Sequence, residues 1–320
     1  MSLTLFVLRR LGRGVLTIWF AVTVTFLLLR LLPGDPALAV ASTNMTEEAR
    51  AALLVQYGLV QPLPVQYVLY LGQLLQGNLG TSFTQSVPVL DVLAHRLPWT
   101  LLLTFTALAL TVVIGVPLGA LAASAKGRTW DRVVQVVGVT GQSLFVPSVG
   151  IVLLFLFGLA LGWFPIGGAY DQDVYGFEWY GSVLSHLVLP ALSLTLVQLG
   201  PYVLTMRAAL VDALGDDYVT LARANGLSPR RILWKHALRN ALLPTTTLIG
   251  LQLGFLVGGA VLTETVFAYP GIGRGIYEAV TQLDFPVLQG AFLLLAVTVV
   301  AANMLTDIAY GFLDPRVKTS

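Results

Sequence analysis

Residues 11–32 read LGRGVLTIWFAVTVTFLLLRLL, a run that is apolar on every side. As a helix it is about 33 Å long, which matches the ~30 Å of hydrocarbon in a bilayer. Five more runs of this kind follow, near 98–123, 133–161, 187–206, 242–266 and 287–312. Each is long enough to cross the hydrocarbon as a helix, which takes roughly 20 residues. The sequence therefore predicts an all-α polytopic membrane protein with six transmembrane helices, a single transmembrane domain over 1–320. Only 11% of residues are charged and mean hydropathy is +0.82, against about 25% charged in soluble domains. Arg9-Arg10 before the first run and Ala37-Leu38-Ala39 beyond it also fit a cleaved leader. The run exceeds the roughly 7–15 apolar residues of a leader, and a retained span is expected.

Charge sets the direction of threading. With the N-terminus inside, all of the 18 lysines and arginines except Arg30, Arg50, Arg96 and Arg274 fall on the inner side. Positive residues favour the cytoplasm, so both termini and the loop 207–241 are predicted to be cytoplasmic. The outer loop 33–97 is long. It holds an expected helix starting at Thr46, with Glu47 and Glu48 in its first turn, and another after Pro64. The outer loop 162–186 is aromatic and acidic, as suits a membrane interface. Pro147 is expected to kink the third span, and the fourth to continue past the membrane through Arg207 to Asp212.

The inner loop carries the densest positive charge. Residues 218–240 read YVTLARANGLSPRRILWKHALRN, with Arg223, Arg230, Arg231, Lys235 and Arg239 and no acid. A short helix containing Tyr218, Ala222, Arg223 and Ala224 is predicted to stop at Asn225-Gly226, a left-handed ending. Ser228-Pro229 then starts a second helix, Ser as cap and Pro at its first position. A basic helix lying on the membrane surface is one reading of this loop. A tight glycine break in its middle fits better a hairpin that enters another protein's cleft.

Other residues bear on transport. Gln142, Ser143, Gln198, Gln252 and Asn303 are polar groups within the spans, where such groups face a bundle interior or a wet pathway. Gly250, Gly254 and Gly258 recur at four-residue spacing, which permits close helix approach. Glu264 and Asp307 are the acids nearest the membrane and are expected at its two interfaces. An ion-driven transporter would use such acids; an intramembrane enzyme would need a nucleophile–base pair that the sequence does not offer. With no cysteine and only 3 histidines, no metal-ligand pattern is present. Lys126, Lys235 and Lys318 lie in no phosphate-binding loop, so ATP energy would have to come from a partner.

Four stretches together carry a resemblance: FVLRRLGRGVLTIWFAVTVTFLLLRLLPGDPA (6–37), YGLVQPLPVQYVLYLGQLLQGNLGTSF (57–83), ARANGLSPRR…HALRNALLP (222–244) and ETVFAYPGIGRGIYEAVTQLDFPVLQG (264–290). In this order they resemble the first of the two membrane subunits of dipeptide and oligopeptide ABC importers. The loop 207–241 resembles the EAA loop that couples such subunits to their ATPases. It departs from the common form: Thr220, Leu221 and Ala222 stand where Glu-Ala-Ala is usual. Gly226 also lies farther from Pro244 than usual, by about one and a half helical turns. The resemblance implies a type I importer-like fold in a bacterial or archaeal cytoplasmic (inner) membrane. It implies a homologous second permease subunit as heterodimer partner, two ATP-binding subunits that hold ATP and Mg, and an external or periplasmic binding protein. No cofactor on this chain and no nucleic acid are implied. Tyr218, Ala222–Gly226, Arg230, Arg231 and His236 would contact an ATPase, and the cargo would be peptides, with glutathione-like peptides or nickel chelates as family alternatives.

The topology is checked with single cysteines at Arg50 and Arg230 in intact and opened cells. Impermeant maleimide should reach position 50 from outside and position 230 only from inside; labelling of both from one side would overturn the threading.

Overall fold

In the computed structural model, residues 3–31, 60–255, 258 and 260–313 are described, with side chains over 10–31, 60–252, 258 and 260–304. In chain order the helices are α1 (Leu3–Leu31), α2 (Leu63–Leu75), α3 (Val89–Ser124), α4 (Thr129–Ser143), α5 (Val146–Leu153) and α6 (Phe177–Gly215). There follow α7 (Asp217–Ala224), α8 (Pro229–Arg231), α9 (Leu238–Phe255), α10 (Val261–Val266), α11 (Ile272–Thr281) and α12 (Phe285–Leu313). Two π-helical stretches, Leu154–Ala160 and Ile232–Ala237, continue α5 and lead into α9. No strand occurs among the described residues. The helix after Pro64 is α2; the one expected at Thr46 lies outside the described residues.

Four of these helices are long and apolar enough to cross a membrane: Arg10–Leu31, Val89–Ser124, Phe177–Gly215 and Phe285–Met304. The expected third span is different in shape. Between α4 and the helical stretch Val146–Ala160 the axis turns by 103°, a break and not a kink. Pro147 causes it from the start of α5: its ring cannot sit against the carbonyl of residue 143, so α4 ends there. Leu144 and Phe145 are extended between the two helices. The expected fifth span, 242–266, is divided between α9 and α10. α9 opens with Arg239, Asn240 and the Thr245–Thr247 run, and α10 has 6 residues, so neither is a long apolar helix alone. Pro190 and Pro201 lie inside α6 without ending its 39 residues.

The chain divides into two compact units. The first comprises residues 1–100 and 270–308. Here the buried carboxylate of Asp284 caps α12 through the Val287 amide (3.4 Å). It also accepts from Ser82 Oγ (2.5 Å), Thr84 Oγ1 (2.8 Å) and the amides of Phe83 and Thr84 (both 3.2 Å). One acid thus fixes a loop 200 residues away in sequence to the start of the last helix. Nearby, Arg96 donates to Glu278 (2.6 Å), which also accepts from Arg274 (2.8 Å). Gly275 leaves room for the Arg96 side chain, which a Cβ there would approach to 3.0 Å. On α1, Phe26 meets the rings of Tyr67 and Tyr70 of α2. Burial, then the neighbouring Tyr67, pushes the Tyr70 phenol up to about 12.

The second unit, residues 101–269 and 309–320, is built on α6. α4 crosses α6 where Gly138 faces Gly200 and Gly141 faces the Leu196 carbonyl: a Cβ at Gly200 would stand 2.2 Å from the Gly138 carbonyl oxygen. On another side of α6, a Cβ at Gly119 of α3 would stand 2.6 Å from the Val203 carbonyl oxygen. Backbone therefore lies against backbone, as small residues allow between helices. Ala120, Ala123, Met206, Leu210, Ala213, Ala237 and Ala241 form a buried cluster where α3, α6, the second π-helical stretch and α9 meet. Glu264, expected at a water interface, is fully buried. The side chain of Asp307 lies outside the described ones.

Gly200→Ala should cost about 1–3 kcal/mol through overpacking. Gly181→Ala, on the same helix with nothing within 4 Å of the new Cβ, should cost nothing. Thermal unfolding in detergent measures both; equal melting temperatures would refute the glycine seam.

Candidate functional site

The basic hairpin is held together from within. α6 runs to Gly215, three residues beyond the expected Asp212, and Asp216 leads extended backbone into α7. At the other end of α7, Gly226 has φ +74°. The Gly226 amide donates to the Arg223 carbonyl (3.0 Å) and the Leu227 amide to the Ala222 carbonyl (3.2 Å). This pair of reversed bonds is a Schellman ending, and Leu227 adds its usual apolar contact by packing on Val219, Ala222 and Ile232. Asn225 keeps φ −77°, so the left-handed position belongs to Gly226 alone. Ser228 Oγ then accepts from the Arg231 amide (3.4 Å), with Pro229 at the first helical position. The stop and the restart expected from the sequence are both found.

The helix that restarts is not plain α. Residues Ile232–Ala237 are π-helical before α9 begins. Such stretches recur at functional sites. Pro244 lies inside α9 and cannot bond the Asn240 carbonyl.

The hairpin has two faces. Inward, Val219, Ala222 and Ile232 form a small core with Leu214, Tyr218 and Leu227 around it. Ala222, expected beside a partner, belongs to this core. Tyr218 is half-buried, and its hydroxyl is buried without a hydrogen bond. His236 is half-buried in the π-helical stretch. Outward stand Arg223, Ala224, Asn225, Gly226, Arg230, Arg231, Lys235 and Arg239, all exposed. Among them are two large apolar side chains, Leu221 at 64% and Trp234 at 51% exposure. Sequence reasoning missed both. The signal for Leu221 was its place in Thr-Leu-Ala; for Trp234, an aromatic inside an otherwise basic run. Apolar groups rimmed by charge mark interaction surfaces more than solvated ones.

Behind the hairpin, Arg207 of α6 clasps Asp131 of α4. Arg207 Nε donates to Asp131 Oδ1 (2.5 Å) and Nη2 to Oδ2 (2.8 Å). The Gly127 amide (2.8 Å to Oδ2) and Gln135 Nε2 (3.0 Å to Oδ1) complete the carboxylate, which is 1% exposed.

The polar residues of the spans are not one cluster. Gln142 and Ser143 are exposed at the broken end of α4, and Gln142 lies against Gly200. Gln198 and Gln252 are half-buried on α6 and α9. Asn303 is exposed on α12, in the other unit. Of the three glycines, Gly250 is buried on α9 and Gly254 lies in its last turn, but Gly258 is exposed in a turn beyond the helix end. They do not make one helical face.

At the start of α6, Ser182 Oγ donates to Asp171 Oδ2 of the preceding loop and accepts from the Asp171 amide, both at 2.8 Å. Buried His186 sits beneath, its Nδ1 2.8 Å from the Ser182 carbonyl. Trp163, Tyr175, Phe177 and Tyr180 of this region are exposed. Burial, then the charge of Glu264, raises the Tyr269 phenol above its ordinary value.

Two family patterns match the chain. "Binding-protein-dependent transport system inner membrane component" covers residues 115–319, and its N-terminal companion covers 3–104. The di/tripeptide transport system permease protein DppB of Pseudomonas aeruginosa is 38% identical over 98% of both chains. The dipeptide transport system permease protein DppB of Escherichia coli is 34% identical over the same shares. The glutathione transport system permease protein GsiC of Salmonella choleraesuis is 36% identical, again over 98% of each. Among solved structures, an inward-facing MetNI methionine ABC transporter superposes with TM-score 0.55 at 19% identity, over 70% of this chain and 97% of that one. A second MetNI crystal form gives 0.57. At such identity the likeness is one of fold.

Gly226→Val should strain the stop by about 1–2 kcal/mol, the cost of left-handed backbone for a side chain. Limited trypsin digestion should then cut faster at Arg223 and Arg230 than in the parent. Unchanged cutting would mean that the reversed turn is not needed to hold the hairpin.

Proposed function

Because the chain belongs to the family of binding-protein-dependent transport system inner membrane components, we propose that it is one membrane-spanning half of an ATP-driven importer for short peptides. The relatives are permease subunits and not enzymes, and this chain forms part of a pore and hydrolyses nothing. The observation that carries the reading is the hairpin: a self-supported basic element with Leu221 and Trp234 outward, built on the end of a 39-residue helix. A surface of that kind suits a protein cleft. On the membrane-surface reading, the basic groups would face lipid headgroups and the apolar ones the acyl boundary; the Schellman turn gains nothing there.

In this reading the chain crosses the membrane six times with both termini and the hairpin in the cytoplasm, α9 and α10 completing the fifth crossing. A homologous second permease subunit forms the other half. Two ATP-binding subunits, which hold ATP and Mg, dock on the hairpins, and an external binding protein delivers cargo. Closure of the ATPases draws the hairpins together and opens the pathway outward; hydrolysis resets it. Gln142, Ser143, Gln198, Gln252 and Asn303 offer polar, uncharged contacts along the way, which pass a peptide on without holding it. The names of the relatives support di- and tripeptides as the cargo class, with glutathione, itself a tripeptide, inside it. The membrane is the bacterial or archaeal cytoplasmic one.

The test is affinity purification of the chain from its native membrane in mild detergent, with mass spectrometry of co-purifying proteins. A second permease and one or two P-loop ATPases are expected. In proteoliposomes the complex should import labelled di- and tripeptides only with ATP and binding protein. Purification of the chain alone, or uptake driven by an ion gradient without ATP, would overturn the reading. Leu221→Ser with Trp234→Ser should release the ATPases while leaving the permease pair together.

A further inference from the structure

At the seam between α4 and α6, Gly138 and Gly200 bring backbone against backbone, with Leu204 seated on Gly138 and Gln142 on Gly200. Val134, Val203 and Leu199 pack beside them, and apolar contacts of this kind set no direction the way a hydrogen bond does. Among the described residues, the hydrogen bonds that fasten it are those between both carboxylate oxygens of Asp131 and two nitrogens of Arg207. The carboxylate is buried, and its two further donors come from the turn before α4 and from α4 itself. A fork-to-fork pair of this kind fixes orientation as well as distance.

Arg207 stands on the part of α6 that carries the hairpin. Leu210 and Ala213, one and two turns further, pack on Ala237 and Ala241, and Leu214 packs on the hairpin core. α4 leads from Asp131 to the 103° break, where Gln142, Ser143 and Phe145 are exposed. One polar fastening therefore stands between the docking element and the broken helix.

We propose that the Arg207–Asp131 pair is a transmission clamp that makes the hairpin and α4 move as one body, so that displacement of the hairpin is delivered to the break at 143–146. This rests on the importer reading above. Arg207 and Asp131 are positioning residues: they touch neither ATPase nor cargo.

The chain has no cysteine, so spin labels can be placed at Asp217→Cys and Phe145→Cys, both exposed, in the complete importer in nanodiscs. Their distance is measured without nucleotide and after trapping with ATP and vanadate. In the parent the distance distribution should be the same in both states. In Asp131→Asn and in Arg207→Lys, which keeps the charge but loses the fork, it should shift or broaden on trapping. Uptake of labelled di- and tripeptides per ATP hydrolysed should fall roughly threefold or more in both. Arg132→Gln, which removes an exposed charge from the same turn, should change neither. A parent distance that changes on trapping would overturn the clamp, as would variants with unchanged distance and coupling. If Asp131→Asn does not fold, the parent measurement and Arg207→Lys still decide. ATPases that bind and hydrolyse normally on variants with unchanged coupling would sink the clamp alone. ATPases that never bind the parent would sink the importer reading, and the clamp with it.

Discussion

A backbone carried through hydrocarbon must satisfy its own hydrogen bonds, and the rest of the structure depends on how this chain meets that demand. Long helices meet it outright in α1, α3, α6 and α12. Where the helix fails, side chains and neighbouring backbone take over. The break between α4 and α5 leaves extended backbone at Leu144 and Phe145, and its side chains are exposed. Irregular backbone at membrane depth is tolerated where protein or water covers it. In the importer reading the second permease and the transport pathway supply that cover.

Tight helix approach follows from the same demand. Apolar side chains gain nothing by leaving lipid for one another, so close packing has to do the holding. Gly119, Gly138 and Gly200 let backbones touch around α6. The expected glycine row on α9 looked like this seam in sequence, yet Gly258 falls beyond the helix end. Four-residue spacing identifies a face only while the helix lasts. The effective seam combines glycines from two helices far apart in sequence, a pairing that no local pattern reveals.

The parts legible in sequence are those decided locally. Apolar length marked the four long helices, Ser228-Pro229 marked a helix start, and Asn225-Gly226 marked a stop that the structure realises with Gly226 at φ +74°. The parts that were not legible are tertiary. Nothing in the local sequence said that Pro147 would turn the axis by 103°, that Asp131 would meet Arg207 across 76 positions, or that Glu264 would be buried. The same holds within the hairpin. Ala222 and Ala224 are alike in type and two residues apart, and the helical turn puts one in the core and the other on the surface.

That division of the hairpin has a consequence for how such subunits diversify. Val219, Ala222, Leu227 and Ile232, with the Gly226 stop and the Ser228 start, set its shape; the outward side chains of Leu221, Arg223, Trp234 and Lys235 lie outside that core. In the importer reading, substitutions at Leu221, Arg223, Trp234 or Lys235 leave the scaffold standing while they alter which motor it accepts. On that reading, a cell that runs several importers side by side can keep their energy supplies separate by drift in a handful of outward residues. Duplicated subunits then part company without either having to refold.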